Sequence, residues 1–210
     1  MSLTKQWWAT WVTALGLPLV VFLSLLAVPA WDKSLGTSSF HFYVVSATAI
    51  AAAVACLFII GVTESLRETR LLFLGLAFLS IAAIFAVHGL GTPGHIHDKS
   101  YATVPVSSWF SVTMGAIFIT ASVMNLPDRV EVWLQRYGGL VFGLVTLALG
   151  LYIGLSLVED EWLEWVPIAS RPLQLAVAAF NVALLSFAAW RYFQAFLFAR
   201  LPWPASSSSV

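Results

Sequence analysis

Residues 71–91 read LLFLGLAFLSIAAIFAVHGLG, a run of 21 residues with no Asp, Glu, Lys or Arg and a histidine at its far end. As a helix rising about 1.5 Å per residue, it reaches across roughly 30 Å, the thickness of bilayer hydrocarbon. Lipid offers the backbone no water to bond to, so a run of this length closes its own ladder and reads as a helix, not a strand. The polar stretch Thr92-Pro93-Gly94-His95-Ile96-His97-Asp98 follows at once. Three of the four histidines, His88, His95 and His97, fall within ten residues there, and the fourth, His41, opens the preceding apolar run.

Composition extends this reading to the whole chain. Of its 210 residues 60% are hydrophobic and 10% charged, against roughly 25% charged in soluble domains. Mean hydropathy is +0.90, so lipid is the main solvent and the bilayer the main partner. A formal net charge of zero gives nucleic acid no basic face to meet. The single cysteine, Cys56, lies inside an apolar run, which excludes a disulfide framework or a thiolate metal site and reads as a packing residue.

Six apolar runs are long enough to span: Trp8–Ala30, Phe40–Thr63, Leu71–Gly91, Val106–Leu126, Gly138–Val158 and Leu173–Phe198. The expected fold is therefore an all-α integral membrane six-helix bundle over residues 1–200, with 201–210 a disordered tail marked by Ser206–Ser209. Lys5, Trp7 and Trp8 at the start of the first run, with no Ala-x-Ala site after it, read as an anchor rather than a cleaved leader. Pro18 predicts a kink. Gly143, Gly150 and Gly154 predict a face that a neighbouring helix approaches closely.

Alternating spans put Lys5, Arg67, Arg70, Arg129, Arg136, Arg191 and Arg200 on one side and Lys33, Lys99 and Arg171 on the other. The positive-inside rule then places both termini in the cytoplasm of a cell with one inner, or plasma, membrane to cross. Trp7, Trp8, Trp11, Trp133, Trp190 and Trp203 fall near inner ends, and Trp31, Trp109, Trp162 and Trp165 near outer ends, as an aromatic belt requires. The acidic group Glu159, Asp160, Glu161 and Glu164 faces outward as an amphipathic cap.

In this topology all four histidines lie at the outer boundary, His41 and His88 one to two helical turns apart in depth. His95 and His97, spaced i, i+2, share one side of an extended loop. Neutral imidazoles suit copper or zinc, and Asp98 or the acidic group supplies an oxygen ligand or an orienting partner. A boundary histidine taken alone is more often an interface residue bonded to a backbone carbonyl; the set is favoured as a metal site because no cytoplasmic loop holds one. No pair has the His-x-x-x-His spacing of a helical metal site. Gln174 and Asn181, on one face of the last run, predict an interhelical hydrogen bond. Ser107, Ser108, Ser111 and Thr113 predict hydroxyls bonding back to their own helix.

The segments Phe40-His41-Phe42-Tyr43-Val44-Val45-Ser46 and His88-Gly89-Leu90-Gly91-Thr92-Pro93-Gly94 resemble the multi-pass membrane region ahead of cyclase or GGDEF output domains in bacterial signalling proteins. A second similarity is to the MHYT sensors, whose His and Met ligands hold a metal near the outer face. The resemblance covers about a quarter of the chain and carries over His41 and His88. It departs at the methionines, since Met114 and Met124 lie in the fourth run. It implies a sensory module that works with a cytoplasmic output domain or partner, or as a homo-oligomer, because the 210 residues hold no output domain.

Three function classes follow. A sensor binds an ion at the histidines and reports by helix packing. A membrane enzyme or electron carrier uses His41 and His88 as axial ligands to haem b, or the cluster as a catalytic zinc site. A structural subunit of a membrane complex leaves the histidines incidental. The absence of a charged residue mid-span argues against a transporter. The sensor is the reading carried forward, with no catalytic residues assigned.

Overall fold

The computed structural model describes Val20, Ser24, Ala27 and residues 38–66, 68–93, 103–158 and 170–200. The chain divides into two compact units, Met1–His41 and Phe42–Val210, and the packing below lies within the second. Among the described residues from 38 onward five helices follow one another: α1 Ser38–Leu66, α2 Thr69–Leu90, α3 Thr103–Ser122, α4 Asp128–Val158 and α5 Arg171–Arg200.

Four of these are long and apolar enough to cross a bilayer: Ser39–Thr63, Thr69–Leu90, Asp128–Val158 and Pro172–Leu197, with mean hydropathies of 2.5, 2.4, 2.2 and 1.7. The apolar part of α3, Val106–Ser122, is shorter. The described elements are all helices, and the chain is a membrane protein. Of the first expected run, Trp8–Ala30, only Val20, Ser24 and Ala27 are described; all three are helical, and the Ser24 hydroxyl donates to the Val20 carbonyl at 2.7 Å. The rest of that run, with Pro18, the acidic group and the 201–210 tail, lies outside the described residues.

Two boundaries move from where apolarity put them. The fourth run, expected to continue to Leu126, stops as a helix at Ser122, where Val123 and Met124 bond to Thr120 and Ala121 in a tight turn. Pro127 disfavours helical backbone at Leu126, and Leu126 instead packs against the core of Leu72, Leu76 and Leu134. α4 starts ten residues before Gly138, at Asp128, because its polar first turns still propagate a helix. The Pro127 carbonyl accepts from Val130 and Glu131 at 2.8 and 3.1 Å, and Asp128 and Glu131 sit in the first turn, where negative charge offsets the dipole.

The helices alternate in direction. Along α1 and α2, Val45 packs near Gly89 while the Cys56 thiol reaches the Gly75 carbonyl at 3.4 Å. α2 and α3 close on each other at Gly115, where an added Cβ would stand 2.9 Å from Ile81 Cδ1. Leu72 touches the Gly138 position and Phe142 the Gly75 position, so α4 runs parallel to α2. α5 runs parallel to α3 through Asn181–Thr113 at 3.1 Å and Tyr192–Ser122 at 2.8 Å.

α2 is the centre of the assembly. Half of its most apolar window is buried, 50% against 11% in α4 and in α5, and Leu76, Ala77, Ile84 and Val87 have no exposed surface. α4 meanwhile turns Leu140, Leu144, Leu147, Leu151 and Leu155 outward, each more than half exposed. In water such a stripe would drive aggregation; against acyl chains it is solvated.

Candidate functional site

His88 lies in the last turn of α2 and is 7% exposed. The turn is closed locally: Gly91 N–H donates to Val87 at 2.9 Å, Thr92 N–H to Gly89 at 3.1 Å, and the Thr92 hydroxyl to the His88 carbonyl at 3.0 Å. Phe85 meets the imidazole edge-on at a centroid distance of 6.0 Å. The ring crosses to α3, where Nδ1 lies 2.6 Å from the Val104 carbonyl. A carbonyl only accepts, so Nδ1 carries the hydrogen, and in the neutral ring the lone pair sits on Nε2.

One turn further along α3, Ser107 Oγ lies 2.7 Å from the Tyr152 hydroxyl of α4. Phe110 stacks obliquely on that tyrosine, 5.4 Å between centroids. Ser111 and Ser156, one turn beyond on α3 and α4, are fully buried with hydroxyls that find no partner. The result is a buried polar band at one end of the bundle, with His88, Ser107 and Tyr152 satisfied and two serines left over. The i, i+4 pairs Ser107/Ser111 and Tyr152/Ser156 carried this signal in the sequence, since hydroxyls on one face of an apolar helix turn toward protein.

The other site residues fall as follows. His41 stands in the first turn of α1 with an exposed side chain and belongs to the first unit. His95, His97 and Asp98 lie outside the described residues. Among the described residues no three His, Cys, Asp or Glu side chains gather as metal ligands would. Tyr43 is 67% exposed and edge-on to Phe42, an interface aromatic. The expected hydrogen bond of Asn181 is present: Nδ2 donates to Thr113 Oγ1 at 3.1 Å, although its Oδ1 has no partner. Thr113 also bonds back to Trp109 at 2.9 Å, as expected; Ser107 does not, preferring Tyr152. Cys56, 3% exposed, is the packing residue expected.

The opposite end carries Arg70, Arg129, Arg136 and Arg191. Arg191 of α5 donates to Asn125 in the α3–α4 link at 3.2 Å, and the first turn of α2 meets the same link around a small cavity that Arg70 and Glu131 line. The expected close approach at Gly143, Gly150 and Gly154 is not made within the described chain, since an added Cβ at each meets nothing within 4 Å. No family model, curated protein or solved structure matches the chain.

Proposed function

We propose that the chain is a six-span sensory module of the inner membrane, with both termini in the cytoplasm, that binds a copper or zinc ion at the extracytoplasmic end through His88 with His41, His95 and His97. The observation that supports it is the His88–Val104 hydrogen bond. An imidazole whose Nδ1–H is held by a backbone carbonyl has its tautomer and orientation set for ligation through Nε2, the arrangement metal-binding histidines use. The clustering of arginines at the end away from His88 supports the orientation.

In this reading the ion acts on the α2–α3 contact. His88 ends the most buried helix and is tied to the first turn of α3, so an ion drawn to Nε2 favours the packing that presents that nitrogen. Signalling then requires different affinities in two packings. The resemblance of the His41 and His88 segments to bacterial sensor regions points the same way, and a cytoplasmic output domain or partner completes the device.

Metal per chain, measured by elemental analysis on protein purified without chelator, tests this. Wild type carries bound ion, His88→Ala loses most of it, and His41→Ala/His88→Ala loses all while eluting and melting as a folded protein. Wild-type metal content in the double variant overturns the proposal, and a Soret band in the same sample replaces the ion by haem.

A further inference from the structure

The arginine end holds a groove that the histidine reading does not use. It has a volume of about 380 Å³ and lies over α2 between α1 and α4. Its depth is apolar, walled by Ile60, Leu72 and Phe142 and floored by Gly75. Gly139 leaves one side open, since a Cβ there would meet nothing within 4 Å. At the mouth the lining turns polar with Thr63, Glu68, Thr69 and Gln135.

Thr69 makes this a site and not only a gap. It is 6% exposed, and its hydroxyl has no hydrogen-bond partner. A buried hydroxyl left unpaired costs roughly 1–3 kcal/mol, and the usual relief, a bond back to a carbonyl of its own helix, is denied to the first residue of α2. Glu68 beside it makes no capping bond from its side chain. A pocket of this size, apolar in depth with a few converging polar groups, has the form of a small-molecule site.

We propose that the groove binds a single-chain amphiphile with a neutral, hydroxyl-bearing head. At about 30 Å³ per water-sized group, the volume holds roughly a dozen heavy atoms, enough for a glycerol-like head and the first methylenes of an acyl chain. The chain lies along Leu72, Gly75 and Phe142 and leaves past Gly139 toward lipid. The head accepts from Thr69 and donates to Glu68 or Gln135. Among the described residues no basic side chain lines the groove and Glu68 is its one charged group, so a carboxylate or phosphate head is disfavoured. The competing use of the Thr69 hydroxyl is water in the adjoining 150 Å³ cavity, which Thr69 shares with Arg70, Asn125 and Glu131.

The test is photolabelling in phosphatidylcholine nanodiscs with a monoacylglycerol bearing a diazirine on its chain. Parallel arms use the same chain as a free fatty acid and as a phosphatidylcholine. The monoacylglycerol labels peptides covering 60–75 and 134–142 and exceeds both other probes. Gly139→Phe, whose ring enters open space, abolishes labelling, whereas Gly150→Phe on the same helix leaves it intact. Thr69→Val lowers it roughly fivefold, the weight of one hydrogen bond, and raises the melting temperature of the unlabelled protein. Equal labelling by all three probes means annular lipid only and overturns the proposal. So does wild-type labelling of both Gly139→Phe and Thr69→Val, the second result assigning the Thr69 hydroxyl to water.

Discussion

Single hydroxyls in this protein divide into those that hold helices together and those that cost stability. Ser107 and Tyr152 share a hydrogen between α3 and α4 at 2.7 Å, whereas Ser111 and Ser156 are fully buried and pair with nothing. Replacing Ser156 with Ala should raise stability in detergent by about 1 kcal/mol, since it removes an unpaired buried hydroxyl and leaves the backbone unchanged. Tyr152→Phe should lower it, and the Ser107→Ala/Tyr152→Phe cycle should give a coupling near 0.6 kcal/mol, the usual size between membrane helices. Thermal or denaturant unfolding of the four proteins measures both. A coupling of zero would mean that the two hydroxyls are independent. At this scale the sequence was informative in type but not in pairing. It named His88 and Asn181 as polar groups at apolar faces, yet the partners that satisfy them, Val104 and Thr113, lie 16 and 68 residues away. Nothing local in the chain marks a particular backbone carbonyl as the one that an imidazole will reach.

The helices differ in what their glycines are for. Gly115 lets α3 pack tightly on α2: an added Cβ would stand 2.9 and 3.0 Å from Ile81 Cδ1 and Cγ1. Gly143, on α4, has open space around it. Gly115→Leu should therefore destabilise by about 1–3 kcal/mol through overpacking, while Gly143→Leu should be neutral or slightly stabilising, as a better helix former facing lipid. Comparing midpoints of the two variants by thermal unfolding checks the contrast, and equal losses would refute it. The sequence singled out Gly143, Gly150 and Gly154 as close-approach positions and passed over Gly115. Glycine spacing locates a smooth helix face, but whether a neighbour uses it depends on how the other helices are arranged. Helix ends were read more closely. α1, α2 and α5 begin and end within about three residues of the apolar runs that announced them, and α3 and α4 depart only where Pro127 and a polar first turn intervene.

For the molecule as a whole, strict alternation of the described helices puts Glu68 and the 123–127 link at one end and the 91–93 turn with His88 at the other. Cysteines introduced at Asn125 and at Ser170 in a Cys56→Ala background should then react with a membrane-impermeant maleimide from opposite sides. In the proposed orientation the label reaches position 170 in intact cells and position 125 only after lysis. Labelling of both from one side would break the alternation, and the reverse pattern would overturn the orientation. Cys56 can be spared for this purpose, because its role is to fill space between α1 and α2.

What the sequence determined by itself is the material: apolar runs of about twenty residues can only be helices in lipid, because the backbone must satisfy its own hydrogen bonds there. That constraint is local, so it is legible from any one segment. Which helix lies at the centre, which faces touch and which cavities remain were decided by tertiary structure alone. These helices are apolar almost all the way round, so no stripe of side chains announces a buried face as it would on a helix in water. The central place of α2, the ring of His88 against Val104 and the groove above Thr69 arise only when nearly uniform cylinders settle against one another by shape and by their few polar groups.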